Sequence, residues 1–581
     1  MDLSSKKSLR FLIKTHLDFI YSGEGLDDLG EKLIALMKLD PEKIHTGTHE
    51  NSWSHEDAWL ITYGDSIISE GERPLKTLER FASSELSGVL NGIHILPFSP
   101  YSSDDGFSVI DYSKVNDSLG DWNDIKSISE KFNLMADLVI NHCSSRSRWF
   151  ENFKQRKSPG KDYFFEANPD DDVSMVVRPR TSPLLREVET LDGKRYVWCT
   201  FSHDQVDLDF SNPEVLCEFV GIIKLYLDRG VRIFRLDAVA FLWKEPGTPC
   251  IHHPKTHELI RLIRTLVEYH SSDAVIITET NVPNHENLSY FGNANEAHAV
   301  YNFSLPPLVL QALVAGTSRH LKAWQMSMPP AQAGTFFFNF LASHDGIGLR
   351  PAEGLLSEGE IDELVSTMQL FGARVSWRSA EAGRDKPYEI NVTLYDALQG
   401  TVKGPDRWQT ERFICAHAIM FALEGVPGVY VHSLIATNNY YEGVELTNHN
   451  RTINRYKWDY AELKEKLHDG QSHHHRVFEN MSSLLQVRTR QPAFHPNAVQ
   501  FTLHLGDEVF GFWRQSQKRD QSIFCIHNVT DRNVVIPLSS INLIGLDKWT
   551  DLIEGKEFQD IRQDVELGPY QFVWLTNRVY H

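Results

Sequence analysis

Val231-Arg232-Ile233-Phe234-Arg235-Leu236, followed by Asp237, is a short and nearly continuous apolar run with helix-like segments on both sides, Val215 to Asp228 before it and His257 to Tyr269 after it. Runs of the same kind recur outward in both directions. Towards the N-terminus they are Leu134 to Ile140, Gly92 to Leu96 and Ala58 to Tyr63; towards the C-terminus they are Ala274 to Thr278, Ala299 to Asn302, Thr335 to Leu341 and Gly428 to Val431. Continuous apolar strands alternating with helices predict a parallel sheet buried on both faces. Eight such units close into a (β/α)8 barrel, so the expected fold class is α/β with a TIM barrel at its centre.

Two gaps between these strands are too long for simple connections. Residues from about 144 to 210 mix Pro, Arg and Tyr irregularly and predict a small inserted domain; those from about 346 to 411 predict a second. Residues 491–581 carry short alternating stretches, such as Val499 to Leu503 and Val509 to Trp513, and read as a C-terminal β-sandwich. Residues 1–56 read as an N-terminal extension of two or three helices, which leaves 57–490 to the barrel and its insertions. The extension either covers the barrel base or makes a homodimer contact, and the sequence leaves both open. His473-His474-His475, at a helix start, reads as solvated surface rather than as a metal site.

With 581 residues, the chain has room for a barrel, insertions and accessory modules. Its net charge of -20 argues against nucleic acid as a main partner, because a phosphate backbone needs a basic face. A small anionic substrate stays admissible, since a few local arginines outweigh the global sign. The six cysteines are scattered without a C-x-x-C pair, the N-terminus lacks the apolar core of a signal peptide, and no run of about 18 apolar residues occurs. The expected protein is cytoplasmic, with free thiols and no membrane partner.

In such a barrel the C-terminal ends of the strands converge on one mouth. Here those ends carry Asp137 with Asn141-His142, Arg235-Leu236-Asp237, Glu279 and His344-Asp345. Any one of these carboxylates also reads as a helix cap and any one histidine as a hydrogen-bonded wall residue; their joint occurrence at several strand ends points to a site. Retaining glycoside cleavage needs this inventory, with one carboxylate to attack the anomeric carbon and another to protonate the leaving oxygen. Asp237 lies two residues from Arg235, on the same face of a strand, so the arginine is expected to keep it ionised. Glu279 has no cation beside it in sequence and is free to have its pKa raised, as a general acid requires.

Asp137-Leu138-Val139-Ile140-Asn141-His142, Gly230 to Asp237, Glu279 after an apolar strand, and Ala342-Ser343-His344-Asp345 resemble the four signature regions of the α-amylase superfamily, glycoside hydrolase family 13. The resemblance implies Asp237 as nucleophile, Glu279 as acid/base and Asp345 as transition-state stabiliser. Asp104-Asp105-Gly106-Phe107, Gln205-Val206-Asp207-Leu208-Asp209, Lys244 to Cys250, His344 to Gly348 and Arg451-Thr452-Ile453-Asn454-Arg455 look like the sucrose phosphorylase subfamily. That likeness implies that Asp104 and Arg451 hold the glucosyl ring, that Phe107 stacks on it, and that His142, with Arg235 and His344 at the strand ends, completes the substrate site.

Three departures separate the chain from that subfamily: the helical extension, Arg350 in the loop after His344-Asp345-Gly346-Ile347-Gly348, and Glu389 in Tyr388-Glu389-Ile390-Asn391 where sucrose phosphorylase has Gln. These features look more like the glucosylglycerate phosphorylase branch. A guanidinium suits a charged acceptor better than a neutral one, which gives Arg350, with Tyr388 and Glu389 nearby, an acceptor-side role. Arg178 and Arg180 are the other candidates for phosphate, which must approach a pocket already rich in carboxylates. The expected partners are an α-glucoside and inorganic phosphate, with no cofactor and no metal. Sucrose, sucrose 6'-phosphate or glucosylglycerol as substrate, hydrolysis or transglucosylation, and a non-catalytic binding barrel are the rival readings.

Overall fold

The computed structural model describes residues 8–41, 52–180, 182–379, 385–541, 548–560 and 563–581. Its centre is a closed barrel of parallel strands, β1 (Trp59–Thr62), β2 (Gly92–Ile95), β3 (Asn133–Val139), β4 (Val231–Asp237), β5 (Val275–Thr278), β6 (Ala299–Tyr301), β7 (Phe336–Asn339) and β8 (Val426–Tyr430). Each strand pairs with its sequence neighbours, and β1 closes the ring on β8 through Trp59 opposite Gly428. The apolar runs are continuous because both faces are covered: β1, β2, β5, β6, β7 and β8 are buried at every position.

The two N-terminal helices, α1 (Leu9–Ile20) and α2 (Leu26–Met37), lie on the outer helical layer rather than under the barrel. They pack on α3 (Pro213–Asp228) and α4 (Pro254–His270), the helices that precede and follow β4. Leu9, Ile13, Leu17 and Ile20 repeat at helical spacing and are buried, as are Leu33, Ile34 and Met37. His16 meets Glu258 at 2.6 Å, and the Tyr21 hydroxyl donates to the carbonyl of Phe210. Residues 42–51 of the extension lie outside the described residues.

The first insertion holds a hairpin, Leu185–Thr190 with Gly193–Trp198, and is joined to the barrel where His142–Ser144 pairs antiparallel with Gln205–Asp207. The buried Lys244 ammonium bridges that joint, 2.8 Å from Asn141 Oδ1 and 3.0 Å from Asp207 Oδ2. The second insertion contributes helix Glu358–Leu370 and a three-stranded sheet in which Ile347–Gly348 pairs with Asp385–Asn391, setting Gly348 opposite Glu389.

The C-terminal sandwich is lopsided, a six-stranded antiparallel sheet against a two-stranded one. Strand alternation divides the large sheet: Phe510, Phe512, Cys525 and Trp574 face the barrel, while Val509, Phe524, Ile526 and Leu575 face the small sheet. Arg488 fixes the foot of the barrel. Its buried guanidinium donates to the carbonyls of His55, Asp57, Phe421 and Gly425. The histidine run is not solvated as expected: His474 is buried, and all three rings contact backbone carbonyls, those of Ala436, Ile435 and Leu467. All six cysteines are free and buried.

Candidate active site

The strand ends converge as the barrel requires. Asp237 closes β4, and Glu279 and Asp345 follow β5 and β7. One cavity at this mouth, of about 770 Å³ including its opening, is lined by Asp104, Phe107, His142, Arg180, Arg235, Asp237, Glu279, His344, Asp345, Arg350, Tyr388 and Arg451.

Arg235 is buried at the centre of the carboxylates. Its Nη1 donates to Asp137 at 2.5 Å and to Asp237 at 2.8 Å, and Nη2 stands 3.8 Å from Glu279. Spacing in sequence assigned this cation to Asp237 alone. In space it is divided three ways, and Asp137, which also meets His94 at 2.8 Å, receives most of it. Burial pushes Asp137 up, yet Arg235 and His94 bring it down to about 2. Burial pushes Asp237 and Glu279 up too, and there it prevails over Arg235, because these two carboxyls also repel each other and Asp345. The expected ionised Asp237 is thus one half of a pair with raised affinity for a proton.

Asp345 is set the other way. Burial opposes its charge, but Arg451 at 2.6 Å, with His344 and Arg455 behind it, holds the carboxyl well below the usual range. Arg451 is itself gripped by Glu389, which accepts from Nε at 3.0 Å and from Nη2 at 2.7 Å. Glu389 thus does not line the central cavity; it is buried behind Arg451 and borders the adjoining cleft. Arg178 also stays off the cavity, because its guanidinium turns to the Ser182 carbonyl.

Asp104 sits in a left-handed backbone conformation (φ 53°), as does Asp105 (φ 45°), and the turn aims its carboxylate at the cavity. Burial pushes it up, and Arg451, Arg180 and Arg455 more than offset that. The Phe107 ring lies parallel to His344, 4.9 Å between centroids. His142 Nε2 is 2.9 Å from the Phe107 carbonyl, which makes that nitrogen the donor. Burial lowers both imidazoles, His344 to about 3, so they stay neutral near pH 7.

Arg180 and Arg350 differ from every other arginine of the wall. Neither guanidinium has a carboxylate partner among the described residues; that of Arg180 bonds a backbone carbonyl and rests over the rings of Phe201 and Tyr388, and that of Arg350 has no hydrogen-bond partner there.

Residues 88–346 match the α-amylase catalytic domain and residues 500–574 the maltogenic amylase C-terminal domain. The glucosylglycerate phosphorylase of Spirochaeta thermophila is 43% identical over 575 residues, covering 96% of this chain and 97% of that protein. That of Escherichia coli is 40% identical, covering 97% and 99%. The chain belongs to the α-amylase superfamily. Within that superfamily it is closely related to the glucosylglycerate and sucrose phosphorylase branch. The crystal structure of sucrose 6F-phosphate phosphorylase from Thermoanaerobacter thermosaccharolyticum superposes with a TM-score of 0.71 at 26% identity, over 88% of this chain and 98% of that one.

Among the wall residues of this α-amylase-superfamily site that went unassigned in the sequence are Phe201, Gln205, Phe241 and Asn281. Gln205 donates to Asp104 at 3.0 Å, and its signal was its place at the head of the Gln205-Val206-Asp207 stretch. Asn281 follows Glu279 at the two-residue spacing that keeps side chains on one face, and its buried Oδ1 has no partner among the described residues. Nothing in the sequence marks Phe201 or Phe241.

Proposed function

We propose that this protein is a glucosylglycerate phosphorylase, converting 2-O-α-glucosylglycerate and inorganic phosphate into α-glucose 1-phosphate and glycerate with retention. The observation that carries the reading is the pair of guanidiniums without a carboxylate, Arg180 and Arg350, on the wall of a cavity otherwise dominated by carboxylates. Isolated cations in such a wall suit anions on both sides of the exchange, glycerate leaving and phosphate entering. The names of the relatives from Spirochaeta thermophila and Escherichia coli support the same substrate.

The chemistry is a double displacement. Asp237 and Glu279 share one proton, and Arg235, nearer to Asp237, favours the charge there and the proton on Glu279. Asp237 attacks the anomeric carbon as Glu279 protonates the departing glycerate oxygen. Phosphate then enters beside Arg180 and Arg350, gives a proton to Glu279 and displaces Asp237, restoring the configuration. Asp345, kept ionised by Arg451, stabilises the positive charge that develops on the ring in both steps. Asp104, Phe107, His142, His344 and Arg451 hold the glucosyl ring, and Tyr388 borders the acceptor. The free, buried thiols suit a cytoplasmic enzyme.

The test is release of glucose 1-phosphate from 2-O-α-glucosylglycerate and from sucrose, each with and without phosphate. Phosphate-dependent turnover of glucosylglycerate alone is expected. Turnover of sucrose would move the acceptor, and glucose release indifferent to phosphate would make the enzyme a hydrolase.

A further inference from the structure

The turn that carries Asp104 and Phe107 is strained, and beyond its own backbone bonds, Phe107 N–H to the Asp104 carbonyl and Ser102 N–H to the Ser108 carbonyl, it is held from outside. Asp104 and Asp105 both have positive φ without being glycine, and Ser102 and Ser108 stand on either side of them. Both serine hydroxyls donate to a single carboxylate oxygen, Asp204 Oδ2, at 2.5 and 2.9 Å, and Ser103 adds a third bond at 2.5 Å. The second oxygen, Oδ1, accepts from Ser145 at 2.7 Å, beyond the end of β3. Asp204 lies in the first insertion, about a hundred residues downstream of the turn. It lines neither the central cavity nor the adjoining cleft. Its neighbour Gln205 donates to Asp104 at 3.0 Å and to the Phe107 carbonyl at 3.2 Å.

We infer that Asp204 is a positioning residue: its carboxylate gathers the hydroxyls of Ser102, Ser103 and Ser108 and so fixes the strained Asp104–Phe107 turn in the conformation that grips the glucosyl ring. A carboxylate suits the task because ionised it only accepts, with about four lone-pair sites, so converging hydroxyls all serve as donors. An amide offers one acceptor oxygen and puts two donors where the second should be. The inference rests on the reading of Asp104 as a glucosyl-binding residue, and it is indifferent to whether glycerate, fructose or water is the acceptor.

The experiment is a double-mutant cycle of Asp104→Asn and Asp204→Ala in the full chain, with KM and kcat measured on whichever α-glucoside the parent enzyme cleaves, and with thermal midpoints recorded. Loss of grip on the ring removes binding common to ground and transition states, so Asp204→Ala is expected to raise KM about tenfold and to change kcat by less than about threefold. On the Asp104→Asn background the same change is expected to add less than about twofold, because the turn then has no carboxylate left to aim. Asp204→Asn, with one acceptor oxygen, is expected to fall between. A KM that stays within about twofold in Asp204→Ala, or one that rises by the same factor on both backgrounds, overturns the inference and leaves the phosphorylase reading standing. An Asp104→Asn enzyme with unchanged KM overturns the role of Asp104 and this inference together. If Asp204→Ala does not fold, Ser102→Ala combined with Ser108→Ala decides the matter by the same KM criterion.

Discussion

The two ends of the cavity use arginine in opposite ways. At the sugar end Arg235 and Arg451 are ion-paired, the first among Asp137, Asp237 and Glu279, the second between Asp345 and Glu389. At the acceptor end Arg180 and Arg350 bind no carboxylate among the described residues. An ion-paired guanidinium sets the charge and place of its neighbours and meets a ligand only with the donors left over. An unpaired one leaves its strongest bond for whatever anion arrives. On the proposed mechanism the sugar end is framework for a charge that develops in the transition state, and the acceptor end is a receptor for charges that come and go.

Substitutions at the two ends should therefore differ in kind as well as in size. The largest effect is expected from Asp237→Asn, which removes the proposed nucleophile and with it about 10⁴-fold or more of kcat. It should also raise the thermal midpoint. A carboxyl whose folded pKa lies above its unfolded value binds its proton more tightly when folded, so it costs stability once the pH passes its unfolded pKa, and the amide removes that cost. An inactive variant that melts earlier than the parent would break the account of this end as one strained by burial.

Arg451→Met comes next. It leaves Asp345 and Glu389 buried without their cation, for which about 3–5 kcal/mol of stability is expected to be lost. Burial is then the main influence on Asp345, so its pKa rises and the acid limb of kcat/KM moves to higher pH; a limb that stays in place would mean that Arg451 does not set that carboxyl.

At the other end, Arg350→Ala should leave the melting temperature almost untouched, within about 0.5 kcal/mol, because it breaks no internal bond to the described residues. Its cost should fall on the acid: KM for glycerate in the synthetic direction rises about tenfold or more, the loss of one charge-assisted bond. Equal losses with glycerate and with a neutral acceptor would erase the distinction between the two ends. The smallest effect is an absence. His142 and His344 sit in the framework, so their imidazole carbon resonances in ¹³C-histidine-labelled enzyme should not titrate between about pH 6 and 7, where a free imidazole does.

How much of this was legible in the sequence follows from range. The barrel was legible because each strand is buried on both faces and so writes its own continuous apolar run, as Ile276, Ile277 and their neighbours do. The convergence of Asp237, Glu279 and Asp345 followed from the geometry of any such barrel. What the sequence hid was the partner of each charge. Arg235 is two residues from Asp237, yet its shortest bond goes to Asp137 on the neighbouring strand. Glu389 was placed against the acceptor because of its loop, and its contact with Arg451 is set by the pairing of Gly348 with Glu389. Arg178 and Arg180 are indistinguishable as letters, and only the path of the loop sends one into the cavity and the other to a carbonyl.

The closure of β1 on β8 has a consequence for the birth of the molecule. Trp59 is translated early, but its partner Gly428 and the Arg488 side chain that holds the carbonyls of His55 and Asp57 leave the ribosome far later. At roughly 5–20 residues per second, the first strand waits on the order of tens of seconds with one edge unpaired. During synthesis, then, the exposed edge of an unfinished ring is the vulnerable surface of this protein, and a nascent chain arrested before Arg488 should be a far better chaperone client than the finished enzyme.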